Sequence, residues 1–198
     1  MSASGGTVVP AHPVAARDDA RERIFDGAVR CLVRDGASAS MAGIAAAAGV
    51  SKALLHYHHG DRSRLLASVA GRLGQRIRRR ERTAIERAAA GSAMDALWDW
   101  VQDELQRGEM RALLELGALR DDAVRAVTAM AARARRDEAA RTAERLFAQL
   151  GLTPRMPAAL LGDASVAFVD GLALDAGNGR DPRVSFDLFW LALLGLAE

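Results

Sequence analysis

Apolar residues recur at helical spacing along nearly the whole chain. From Asp18 to about Asp35, Ile24, Phe25, Ala28, Val29 and Leu32 share one side of a 3.6-residue period, and Gly36 ends the pattern. Ser40 is a fitting N-cap for a short helix running through Ile44 to about Ala47. Gly49 permits a sharp turn, and Ser51 caps a second short helix, Lys52–His58. Gly60-Asp61 breaks the pattern again. Asp61 then caps a longer helix to about Ala90, with an apolar stripe at Leu65, Leu66, Val69, Leu73 and Ile77. Beyond Gly91-Ser92 the spacing predicts helices near 93–107, 109–119, 121–150, 155–177 and 183–197. Breaks fall at Gly108, Asp121-Asp122, Gly151–Pro154 and Gly177–Pro182. No segment alternates as a strand would, so the expected fold class is all-α. Met1–Ala16 is Ser, Gly, Pro and Ala with little to bury, and reads as a disordered tail.

Composition adds three constraints. Half of the 198 residues are hydrophobic, and 26% are charged, enough apolar content for a real core. The single Cys31 excludes a disulfide framework and a cysteine-based zinc site; on a mostly apolar helix it reads as a buried structural thiol. No run of 18 apolar residues and no signal peptide is present, so a cytoplasmic protein without a membrane span is expected. Charge is unevenly spread. Residues 1–80 carry 13 basic and 6 acidic side chains, a net +7; residues 81–198 carry 14 and 19, a net −5. The first third is therefore suited to a polyanion.

The two short helices at about 40–59, joined through Gly49, have the form of a helix-turn-helix. Ala45 to Ala48 let a second helix cross closely, and Val50 can plug the corner. At 100° per residue, Leu55 and His59 share the inward side, while Leu54, Tyr57 and His58 face outward. A Leu and a Tyr on a solvated face suit contact with base edges and phosphates.

The run Ile44-Ala45-x-x-Ala48-Gly49-Val50-Ser51-Lys52-Ala53-Leu54-Leu55-His56-Tyr57-His58, followed by Arg62 and Leu65-Leu66, resembles the TetR (tetracycline repressor) family of transcriptional regulators. The resemblance covers about residues 17–70. It implies a helix-turn-helix DNA-binding domain at 17–62, a connecting helix at 63–90, and an effector-binding and dimerisation domain at 91–198. By position, Ser40 matches the residue that caps the second helix and touches phosphate. Ser51, Lys52, Leu54, Tyr57 and His58 match recognition-helix positions. His56 and Arg62 stand where the family has phosphate contacts. His59 replaces a common core Phe, and a buried imidazole needs a partner.

Met94, Trp98, Val101, Met110, Leu114, Met130 and Phe168 are candidates for an effector pocket in that second domain. The last helix is apolar on nearly all sides, which calls for burial on more than one side. A four-helix interface between two copies is therefore expected, with Leu160, Ala164 and Gly171 from the eighth helix and Phe186, Phe189, Trp190 and Leu193 from the ninth.

The implied function is a homodimeric regulator, a repressor released from a palindromic double-stranded DNA operator by a small-molecule effector. Rival readings are weaker. His56, His58 and His59 lie at i, i+2 and i+3, unsuited to a metal site. The arginines from 72 to 82 read as a solvated face. All four His lie at 12, 56, 58 and 59, and no nucleophile–base set appears, so neither an enzyme nor a cofactor is expected. A helical interaction module without DNA binding fits the charge split poorly.

Overall fold

The structure, a computed structural model, describes residues 13–89, 91–176, 178–179, 181–195 and 197–198; of residues 13–16 only the backbone is described. The described residues form nine α-helices: α1 Pro13–Asp35, α2 Met41–Ala48, α3 Lys52–His59, α4 Arg62–Arg87, α5 Ala93–Arg107, α6 Glu109–Gly117, α7 Asp122–Gln149, α8 Ala158–Asp175 and α9 Pro182–Leu194. No helix among the described residues is long and apolar enough to cross a membrane. The all-α expectation holds, and the helix boundaries shift by only a few residues. The largest shift is at α1, which begins at Pro13, so the last four residues of the expected tail are helical; the rest of that tail lies outside the described residues.

Three caps set the N-terminal unit. The Ser40 hydroxyl accepts from the Gly43 N–H at 3.0 Å, and the Ser51 hydroxyl from the Leu54 N–H at 3.1 Å. The Asp61 carboxylate accepts from the Arg64 N–H at 2.8 Å. Each satisfies a donor that the helix cannot pair internally, worth about 1 kcal/mol. Gly49 closes α2 at φ 64°, where its N–H and that of Val50 return to α2 carbonyls. The α1–α2 contact is closer than the apolar pattern implies. A Cβ on Gly27 would lie 2.7 Å from the Ala48 backbone nitrogen, so only glycine allows this approach. Ile24, Leu32, Ile44, Leu55, Leu65 and Leu66 fill the small core between α1 and the start of α4.

α4 is the spine. Its 26 residues span about 39 Å at the usual rise. Its first turns close the N-terminal unit, and its later turns pack on α5, α6 and above all α7. α7 and α8 cross closely at Gly162, where a Cβ would meet the Arg136 carbonyl oxygen at 2.5 Å. α9 lies on α8, and the chain's end pairs with the α7–α8 connection through Thr153 and Glu198.

The arginines along α4 are not a free stripe. Arg76 bonds Asp26 (3.2 Å) and Glu109 (2.6 Å), and Arg80 bonds Glu104 (2.5 Å) and Glu109 (2.7 Å). Arg72 pairs with Glu22, and Arg82 with Glu138. The Arg72 and Arg76 guanidiniums also cover the Phe25 ring, 4.0 and 4.7 Å from its centroid. These pairs tie α4 to α1, α5, α6 and α7, so part of the acidic excess of the second domain is matched internally. Cys31 is fully buried in the core.

Candidate nucleic-acid interface and effector cavity

α3 presents its outer face as its periodicity requires. Leu55 is completely buried, and Tyr57 is 67% exposed. Lys52, Ser51 and Ser40 are exposed; Leu54 and His58 are half-buried, so Leu54 turns less far outward than expected. The Tyr57 hydroxyl accepts from Arg17 Nη2 at 3.1 Å, and its ring meets the His58 ring edge-on. Arg17 therefore belongs with this face. The sequence reading missed it because α1 looked purely structural; its basic charge just ahead of the helix-turn-helix was the available signal.

His56 Nδ1–H donates to the Gly60 carbonyl at 2.6 Å, closing the end of α3. That fixes the tautomer of the neutral ring and leaves Nε2 as an acceptor. A contact to phosphate then requires the doubly protonated ring. Arg62 donates from Nε to the Ala39 carbonyl (3.3 Å) and from Nη2 to the Ala37 carbonyl (2.5 Å). It thus braces the loop that enters α2, and Nη1 and the second N–H of Nη2 are left for an outside acceptor.

His59 is half-buried on the inward side, and its Nε2 is buried without a hydrogen-bond partner. Burial pushes this imidazole below its ordinary value, and the charges of His58, Arg21 and Arg72 act in the same direction.

In the second domain, a narrow cavity of about 30 Å3 lies between α4, α5, α7, α8 and α9. Its walls are apolar and aromatic: Leu97, Trp100 and Val101 from α5, Val166, Phe168 and Val169 from α8, Phe186, Phe189 and Trp190 from α9. Phe168 and Phe189 stack at 4.2 Å between centroids. Glu81, Arg135, Thr142 and Ser165 supply the polar groups. This is the composition of a small-molecule site: mostly apolar, with a few placed polar groups.

Of the expected pocket residues, Val101 and Phe168 line this cavity. The others stand elsewhere. Met130 is 61% exposed on the outside of α7. Leu114 lines a separate open groove between α6, α7 and α8. Met110 is buried behind Arg135, its sulfur 3.5 Å from Nη2. Trp98 packs on Phe186 under Arg183, and Met94 rests on the core near the start of α5. Spacing identified apolar helix faces but not which face meets empty space.

Four of the seven residues expected at the interface face inward. Phe186, Trp190 and Leu193 are buried inside the subunit, at 2%, 5% and 7% exposure, and Phe189 stacks inward on Phe168. The large rings fill interior volume that aliphatic chains would leave empty. What α8 and α9 leave uncovered holds the other three, Leu160 and Gly171 with half-buried Ala164 on α8, together with Leu174 on α8 and Val184, Leu188 and Leu191 on α9. The spacings of three, four and seven residues place each set on one helix face.

A capped helix-turn-helix with an exposed α3 face thus stands on a helical domain that holds an apolar cavity. Residues 24–69 match the model of the bacterial regulatory proteins of the tetR family. The fold is similar to a TetR transcription regulator from Haloarcula marismortui (TM-score 0.73, 18% identity, 91% of this chain and 100% of that one). It is likewise similar to a transcriptional regulator from Rhodococcus sp. (0.71, 18%, 89% and 97%) and a TetR-family regulator from Agrobacterium tumefaciens (0.67, 18%, 90% and 95%). No curated protein matches the sequence significantly. Regulators of this family bind DNA and typically dimerise.

Proposed function

We propose that the chain acts as a two-fold dimer that places two α3 helices in successive major grooves of a palindromic operator, represses transcription there, and releases the DNA when a small molecule fills the cavity between α4 and α9. The observation that carries this reading is α4 itself. Its first residue braces the loop entering α2 through Arg62, and Glu81 in its later half lines the cavity. A ligand that prefers one position of Glu81 over another biases the position of the DNA-binding unit through a single continuous helix. The size of the response equals the difference in ligand affinity between the two positions.

The uncovered stripe on α8 and α9 supports the dimer. Pairing it with its two-fold copy makes a four-helix bundle and removes several large apolar side chains from water. Ser40, Ser51, Lys52, Leu54, His56, Tyr57, His58 and Arg62, together with Arg17, form the side that meets DNA. A gel shift with DNA upstream of the protein's own gene tests the reading. A discrete complex is expected, whose footprint shows two half-sites about one helical turn apart. Weak retardation of any DNA alike would refute it.

A further inference from the structure

Glu81 differs from the neighbouring carboxylates of the second domain. Glu104 is bonded to Arg80, Glu138 to Arg82 and Arg141, and Asp170 to Arg135 at 2.6 Å. Glu81 is 5% exposed and, among the described residues, forms no ion pair; the Thr142 hydroxyl donates to it at 3.0 Å. A buried carboxylate without a cation is costly to ionise. Two further polar atoms of the cavity lining lack partners among the described residues: the Trp100 Nε1–H, a donor, and the Ser165 hydroxyl. Both residues are at least nine-tenths buried. Buried polar groups left unpaired in this way point to a missing partner. The one cation on the wall among the described residues, Arg135, is already paired with Asp170, so its charge is largely met before a ligand arrives.

Resting on the effector reading of the cavity, we propose that its ligand is a lipophilic organic cation, with an amine or ammonium nitrogen at Glu81, an apolar body among the aromatic rings, and a hydrogen-bond acceptor facing Trp100 and Ser165. The faces of Phe168, Phe189 and Trp190 favour a positive charge as well as an apolar body. A cation at Glu81 supplies the ion pair that the fold omits, while an uncharged or acidic ligand does not.

Protonation state gives this preference a second signature. Burial pushes the empty site's Glu81 carboxyl up to about 7. The Thr142 hydrogen bond and the charge of Arg135 on α7 oppose that rise, and Glu138 on α7 and Glu104 on α5 add to it. An incoming cation therefore competes with a proton, and its affinity falls as pH drops through that range.

Three probes of one shape separate the possibilities: 3-phenoxypropylamine, 3-phenoxypropan-1-ol and 3-phenoxypropionate. Each has a ring and an ether acceptor, and they differ in charge. Binding to the full-length protein is read from the fluorescence of Trp100 and Trp190 on the cavity wall. At about pH 8 the amine should bind at least about ten-fold more tightly than the alcohol or the acid, the gain from an ion pair over a hydroxyl hydrogen bond to the same carboxylate. Glu81→Gln keeps the size and the Thr142 contact. It should abolish the preference, costing the amine about ten-fold or more beyond what it costs the alcohol. At about pH 5.5 the amine should lose about ten-fold or more relative to the alcohol.

Equal or tighter binding of the alcohol or the acid overturns the cation proposal and leaves the effector cavity standing. A preference that survives Glu81→Gln does the same. If none of the three binds, or if filling the cavity by Ser165→Phe in a folded protein leaves binding unchanged, the effector reading falls together with the proposal.

Discussion

Replacing Leu188 and Leu191 together with Glu should separate the proposed dimer without unfolding the subunit. In the isolated chain these side chains are 64% and 66% exposed on the outer face of α9. Fully burying a leucine contributes about 1.5–3 kcal/mol, so covering the exposed two thirds contributes roughly 1–2 kcal/mol each. A two-fold interface contains four such side chains, and the double variant removes roughly 4–8 kcal/mol in total. Even the lower figure weakens association nearly a thousand-fold, about 1.4 kcal/mol per factor of ten. Carboxylates facing an apolar surface without partners add to the loss. Sedimentation velocity at micromolar protein should show dimers for the wild type and monomers for the variant. Circular dichroism should show full helicity in both. A variant that stays dimeric with unchanged affinity would refute the assignment of this face. The inward residues make the contrast: Trp190→Ala should lower the melting temperature by several degrees, because Trp190 is 5% exposed within one subunit.

His59 stays neutral more readily when folded, so it stabilises fully above its ordinary value of about 6.5 and costs stability as pH falls below that; His59→Phe should raise the melting temperature, more at pH 5.5 than at pH 7.5, and an unchanged pH dependence would sink the assignment. Tyr57→Ala should weaken operator binding more than binding to random DNA and leave thermal stability intact, because the ring is two thirds exposed. Arg62→Ala should instead weaken both DNAs alike and also lower the melting temperature, since the loop carbonyls of Ala37 and Ala39 lose their donor; a drop confined to the operator, at full stability, would contradict the bracing role. Gly162→Ala should destabilise by about 1–3 kcal/mol or more in denaturant melts, because the added methyl meets backbone atoms of Arg136 and Ala140 that cannot turn aside; a neutral result would mean that α7 and α8 part without cost.

Local rules were enough for the helix-turn-helix. Ser40, Ser51 and Asp61 cap their helices through side chains one turn away, and Gly49 takes the left-handed turn that ends α2. These interactions span three or four residues, so they can be read from the order of residues alone, and the inward Leu55 and outward Tyr57 follow from the helical period. The second domain resists the same reading because its helices are apolar around most of their circumference. In α9 the sequence offers no polar face to set the rotation. Packing decides it, by placing the rings of Phe186 and Trp190 where interior volume must be filled and leaving Leu188 and Leu191 outside. The same holds for Gly27 and Gly162, whose lack of a side chain matters only because another backbone passes within 3 Å of where one would stand. It holds for Glu81 as well. On paper it is one acidic residue in an arginine-rich helix, and only the folded chain shows its neighbours' cations drawn to other carboxylates and a cavity in front of it. Burial and charge pairing between residues tens of positions apart are set by the tertiary structure, which is why the helix-turn-helix was legible in the sequence and the cavity wall was not.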